Sequence, residues 1–178
     1  MERQDFISLL SPEGQALLAQ VGPLEAKADV VKLVSSLRSQ GHDAGLVAAV
    51  LTQAKLRRRA VAKFGPFAER MIFTEAGLEQ ASRLSVAALH ANRFRQADIG
   101  EVADLGCGIG AESMALASLD INVKAFEIDE VTAAVATYNL SPFENAFVEQ
   151  ADVTTLDLSK FEGLFFDPAR RELGGPSR

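Results

Sequence analysis

Two grammars of apolar spacing divide the chain. Up to about residue 95 the apolar positions recur three and four residues apart, as on a helix face. In "SPEGQALLAQVGP", Ser11 stands as a helix N-cap, Pro12 takes the first helical position, and Gly22-Pro23 is the stop. "LEAKADVVKLVSSLRSQG" sets Val30, Val31, Val34 and Leu37 on one face and ends at Gly41. Asp43 then caps a long run through "GLVAAVLTQAKLRRRAVAKFG", and "SRLSVAALHANRF" is a further amphipathic stretch. No strand-like alternation, internal repeat or low-complexity segment interrupts this half.

From residue 101 short apolar runs alternate with helical patterns: "EVADLG", "AESMALASL", "NVKAFEI", "EVTAAVATYNL", "NAFVEQ" and, after a polar connection, "GLFFDP". That alternation predicts a parallel sheet covered by helices. With the change of grammar in "RQADIGE", the expected organisation is an all-helical N-terminal domain over residues 1–98 and an α/β domain over residues 99–178.

Composition narrows the setting. At 178 residues and 48% hydrophobic the chain can bury a real core. No run of about 18 uncharged apolar residues occurs, and "MERQDFISLL" lacks the basic, apolar and small-residue regions of a signal peptide. The expectation is a cytoplasmic protein with no membrane partner. Cys107 is the only cysteine, and with His42 and His90 it makes no ligand set of recognisable spacing, so no metal is expected. The net charge of −6 is unevenly spread: residues 1–100 carry 13 Lys+Arg against 10 Asp+Glu, and residues 101–178 carry 5 against 14.

Candidate chemistry begins at "VADLGCGIGAESMALA", where a strand ending at Leu105 would run through Gly106, Gly108 and Gly110 into a helix. Gly106 suits a tight or positive-φ turn, and bare backbone at Gly108 and Gly110 lets a ligand lie against the loop, its anionic group facing the helix N-terminus. A ligand-free turn fits the same glycines. So does a nicotinamide-type fingerprint, with Gly106, Gly108 and Ala111 as G-x-G-x-x-A and Glu127 as the ribose acid.

The run "DLGCGIG", from Asp104 to Gly110, resembles the first motif of the class I S-adenosylmethionine-dependent methyltransferases. The resemblance implies a Rossmann-like sheet and S-adenosyl-L-methionine held at Asp104, Gly106, Cys107, Gly108 and Gly110. In "VKAFEIDE", Glu127 matches the acid that accepts hydrogen bonds from both ribose hydroxyls, and Ile128 the apolar residue on the adenine. Two carboxylate oxygens suit a vicinal diol because they accept two donors side by side. Asp129 fits a helix cap. In "EQADVTTL", Asp152 matches the acid that receives the adenine amino group, and the Val153 backbone would meet the ring.

"GLFFDPARR" resembles the family's fourth motif, (D/N/S)-P-P-(Y/F/W/R). In amino-methylating members the first side chain and the proline carbonyl aim the acceptor amine at the methyl group, which implies Asp167 and Pro168 as catalytic residues. Such positioning accounts for much of the acceleration when the sulfonium donor is already activated. Ala169 departs from the second proline, leaving the run nearer to a "DPPR" variant. Cys107 sits within the cofactor loop and is assigned no catalysis. "MIFTEAGLEQAS" looks like an aromatic-threonine segment that closes over the cofactor in some nucleic-acid methyltransferases, with Phe73 and Thr74 as the pair. A helix cap at Thr74 is the alternative.

"KLRRRAVAKFG" gathers Lys55, Arg57, Arg58, Arg59 and Lys63, while Leu56, Ala60 and Phe64 line one face. Arg57, Arg58, Arg59, Lys63 and, beyond the fourth motif, Arg170 are the candidate contacts to an RNA substrate. A solvated helix face, or pairing with acids of the second domain, explains the same cluster equally well. Over about residues 50–171 the chain is similar to bacterial methyltransferases carrying a THUMP-like C-terminal region. The function expected is methylation of RNA, at an rRNA or tRNA base. A small molecule or protein acceptor, an NAD-type oxidoreductase and a non-catalytic RNA-binding module are the rivals.

The 77 residues from Val102 onward accommodate four strands, where a complete fold of this class has seven in the order 3-2-1-4-5-7-6. The expectation is a fragment ending after the fourth strand, without any THUMP-like region and with activity of its own left open. The exposed sheet edge would invite pairing with a second copy.

Overall fold

Helix α1, Arg3–Leu10, opens the computed structural model, which describes residues 1–22 and 30–167. It is followed by α2 (Pro12–Val21), α3 (Val30–Ser39) and the long α4 (Ala44–Phe64). A 3-10 turn, Gly65–Glu69, leads to α5 (Glu75–Gln80) and α6 (Leu84–Gln96). The caps act as expected: the Ser11 hydroxyl accepts from the Gly14 N–H, and the Asp43 carboxylate from the Leu46 N–H. Nothing in the apolar pattern singled out α1. It is short, closed by a capping box between Glu2 and Asp5, and held by the burial of Phe6 and Leu9.

Four strands follow: β1 (Glu101–Leu105), β2 (Asn122–Glu127), β3 (Ala146–Gln150) and β4 (Gly163–Phe166). Helix α7 (Ala111–Ala117) connects β1 to β2, and α8 (Glu130–Leu140) connects β2 to β3. All pairings are parallel and the order is β3-β2-β1-β4, so the sheet grows one way from β1 and then crosses back. This is the start of the seven-strand order above, a Rossmann-like sheet preceded by helices.

The core is continuous from the helical layer to the sheet. It joins Leu9, Val50 and Phe64 to Val102, Val123 and Ala125 through Leu116, Val135 and Leu140 of the connecting helices. The opposite sheet face carries Ala103, Leu105 and Phe126, covered by Val153, Leu156 and Phe161. Alternate strand positions face the two layers, as the period of two requires.

The segment Met71–Phe73 fastens the two halves together. It belongs to no helix or strand, yet Ile72 and Phe73 are fully buried, so its backbone groups need partners from side chains. Gln53 imitates a neighbouring strand: its Nε2 donates to Phe73 O (2.7 Å) and its Oε1 accepts from Phe73 N (3.0 Å). Asn139 does the same for Ile72 (3.0 and 2.8 Å), and its Nδ2 also donates to Ile109 O in the glycine loop (3.0 Å). Arg57 Nε donates to Met71 O (2.9 Å).

Replacing Asn139 by Ala should therefore strand three buried backbone groups at once. At about 1–3 kcal/mol for each unsatisfied group, Asn139→Ala is expected to lose roughly 3 kcal/mol or more in urea unfolding. A loss below about 1 kcal/mol would show that the brace contributes little.

Candidate functional site

Every strand ends on the same edge of the sheet, and the crossover between β1 and β4 makes that edge a topological switch point, where open parallel sheets take ligands. The loop after β1 turns through positive φ at Gly106 (85°), Gly108 (56°) and Gly110 (88°). Gly106 and Cys107 both donate to Phe126 O (2.9 Å each), and Gly110 N donates to Cys107 O (2.9 Å), which fixes the turn.

The glycines divide their work. A Cβ on Gly106 or Gly108 would meet nothing within 4 Å, so these two present bare backbone to open space. A Cβ on Gly110 would lie 3.2 Å from Leu140 Cγ, so this glycine lets the loop settle on α8 instead of facing a ligand. Ile109 between them is 1% exposed and plugs the loop into the core.

Glu127, at the end of β2, is held by two backbone donors. Gly108 N donates to its Oε2 (3.1 Å) and Asp129 N to its Oε1 (3.0 Å). Each oxygen keeps acceptor capacity, so the carboxylate is oriented across the glycine loop before any ligand arrives. Ile128 beside it is 53% exposed, an apolar platform next to the acid. Asp129 caps α8, its Oδ1 accepting from Thr132 N (2.8 Å).

Asp152 lies two residues beyond β3, whose Gln150 pairs with Glu127. Its Oδ1 accepts from the Thr154 hydroxyl (2.7 Å) and N–H (2.9 Å), and these bonds hold its carboxyl below the usual range. Val153 is half-buried against the second sheet face. Asp167 is exposed just past β4, whose Phe166 is in register with Leu105, so it stands beside the start of the glycine loop. Pro168 and Arg170 lie outside the described residues.

Asp104 sits beneath the loop and does not face its open side. It is 2% exposed and accepts from the Ser113 hydroxyl at 2.6 Å, tying the end of β1 to α7. Burial pushes its carboxyl up to about 7, against the bond from Ser113. Burial, and then the charges of Asp104 and Glu127, push the Cys107 thiol well up as well, so it stays protonated and a poor nucleophile. Phe73 is fully buried against Phe64, with ring centroids 5.4 Å apart, and Thr74 caps α5 by accepting from Gly77 N.

The basic helix is corrected by the packing: α4 does not present one continuous cationic surface. Arg57 is buried, Arg59 pairs with Glu75 and Glu79, and Lys63 donates to the carbonyls of Leu78, Glu79 and Ala81 at the end of α5. Lys55 and Arg58 remain exposed. The cause is the central place of α4, which packs against α1, α2, α3, α5 and α6 and so buries more than the Leu56–Ala60–Phe64 line. Sequence reasoning missed Asn139, Gln53 and Ser113. Their one signal is a polar residue placed among buried apolar positions of a helix.

Residues 67–167 match the family described as the methyltransferase small domain. The chain belongs to that family. The methyltransferase small domain match begins at the 3-10 turn, ahead of the sheet, and residues 2–60 match a domain family of unknown function. An uncharacterised S-adenosylmethionine-dependent methyltransferase of Mycobacterium tuberculosis, from strains CDC 1551 and H37Rv, is 33% identical over 129 residues, covering 67% of this chain. The chain spans 34% of that relative's length. A structure from Porphyromonas gingivalis W83, named as a candidate methyltransferase, superposes with a TM-score of 0.57 at 24% identity, covering 75% of this chain and 33% of that one. At that identity it speaks for the fold. Among the described residues no helix is long and apolar enough to cross a membrane.

Asp104 generates a pH prediction. Because its folded pKa lies above that of an unfolded aspartate, near 3.9, the folded chain retains a proton that the unfolded chain loses. Its contribution is therefore most favourable below about pH 4, declines as pH rises, and is lost above about 7. Asp104→Asn should remove this decline, so its stability relative to the native chain rises from pH 4.5 to pH 8 in guanidinium unfolding. Parallel profiles would place the titration elsewhere.

Proposed function

We propose that this chain supplies the cofactor half of an S-adenosylmethionine-dependent methyltransferase. The observation that carries the reading is the Glu127 carboxylate, held by Gly108 and Asp129 N–H groups across an open glycine loop. Such a carboxylate takes the two ribose hydroxyls, with the adenine on Ile128 and near Asp152, and the donor's sulfonium end directed along Gly106 and Gly108 toward Asp167. Nothing in the protein needs to activate the methyl group, so the residues at the end of β4 have only to aim the acceptor. Asp167, exposed and one residue past the Phe166–Leu105 pair, is suited to accept a hydrogen bond from an amine. Membership of the methyltransferase small domain family, and similarity to the mycobacterial S-adenosylmethionine-dependent methyltransferase, support the reading.

For the acceptor we infer an RNA base, with phosphates taken by the exposed cations Lys55 and Arg58 of α4. The partners that Arg57, Arg59 and Lys63 already have, buried for Arg57 and at the surface for Arg59, reduce the charge available to RNA and favour a second reading, a small-molecule or protein acceptor.

Calorimetric titration of S-adenosylhomocysteine, with NAD as control, tests the cofactor. The native chain should bind S-adenosylhomocysteine and not NAD. Glu127→Ala should weaken binding tenfold or more, the loss of charge-assisted hydrogen bonds of about 1.5–3 kcal/mol each. Binding of NAD in its place, or equal affinity in the variant, would refute the reading.

A further inference from the structure

Away from the glycine loop, α2, α4, the 3-10 turn and the end of α8 line an open cavity of about 460 Å³. Its lining includes none of Gly106–Gly110, Glu127 or Asp152. Arg57 forms part of the wall while being only 6% exposed. Its Nε is committed to Met71 O, but among the described residues no carboxylate lies within ion-pair distance and Nη1 and Nη2 have no hydrogen-bond partner. Among the described residues no fully buried side-chain nitrogen is left unsatisfied, so these two groups reach the open space of the cavity.

A guanidinium in such a place is costly unless something answers it. Burial lowers its pKa from the ordinary value, and Tyr138 and Glu69 act in the opposite direction. Glu69 and Arg70 are exposed on the cavity wall, and together with Arg57 they leave one net positive charge there. The remaining wall is largely apolar, with Phe67 half exposed, Met71 and Phe143, and it includes the Tyr138 hydroxyl, which lies 3.2 Å from Gln15 Oε1.

We propose that this cavity binds a small organic anion, its carboxylate or phosphate taken by Nη1 and Nη2 of Arg57 and its aromatic or apolar body laid against Phe67 and Phe143. A planar guanidinium matches either anion in a two-pronged hydrogen bond, and fixing Nε on Met71 O orients the remaining donors in advance. One net positive charge suits a carboxylate or monoester better than a polyphosphate, which Glu69 would repel. The site stands independently of the cofactor reading, because it uses different residues.

Fluorine NMR on this chain tests it with three probes of one shape: 4-fluorobenzoate, 4-fluorophenyl phosphate and the neutral 4-fluorobenzamide. At least one anion should broaden and shift, the amide should not, and the tighter anion identifies the group. Amide-proton spectra should move at Tyr138, Ser141 and Phe143. Arg57→Met should weaken the anion at least tenfold. Should that variant fail to fold, Phe67→Ala, at a half-exposed position, and Ala19→Trp, at an exposed one on the wall, should each weaken it several-fold in a folded chain. Equal binding of the amide, shifts confined to Gly106–Gly110, no binding of either anion at millimolar concentration, or undiminished binding in the folded variants would overturn the proposal.

Discussion

Three residues of irregular backbone, Met71–Phe73, set the condition that the rest of the molecule meets. Peptide groups buried without a neighbouring strand must be satisfied by side chains or not be buried at all. Gln53 and Arg57 answer from α4, and Asn139 from α8, so a single strip of main chain holds the helical layer and the sheet to each other. Asn139 extends the brace to Ile109, which carries it into the glycine loop. The loop is thus positioned from behind by the helices and from below by Asp104 and Ser113.

That arrangement explains how polar groups are distributed around the site. The groups beneath the loop are buried and find partners within the protein: Asp104 accepts from the Ser113 hydroxyl, and the Cys107 thiol donates to Gly108 O. Glu127, Asp152 and Asp167 sit at or just past strand ends, on the edge of the sheet that carries the loop, where backbone N–H groups have no ladder partner. Glu127 uses two of those N–H groups to hold its place and stays available on the outside. Orientation before binding lowers the entropy a ligand must give up.

Much of this was legible in the chain. The run "EVTAAVATYNL" is α8 residue for residue, and the caps at Ser11, Asp43, Thr74 and Asp129 could be named from their positions, because a cap is a contact between residues three apart. The glycine loop was legible for the same reason: positive φ is a property of single residues. The basic helix was not. Whether Arg57 or Arg58 meets solvent depends on what packs against each side of α4, and a helical pattern reveals the main buried face but not a second one created by distant segments.

The sequence by itself determined the elements from α2 onward in their main outline, their order, and the acids and glycines gathered at the carboxyl edge of the sheet, since local spacing and right-handed crossover connections leave few alternatives. Tertiary structure alone decided which polar residues are spent on the fold. Arg59 and Lys63 went to α5, Asn139 and Gln53 to an unpaired strip of backbone, and Gly110 to Leu140 and not to a ligand. The reason is that hydrogen bonding and packing are satisfied between residues far apart in the chain, and a side chain's chemistry does not reveal which partner will claim it.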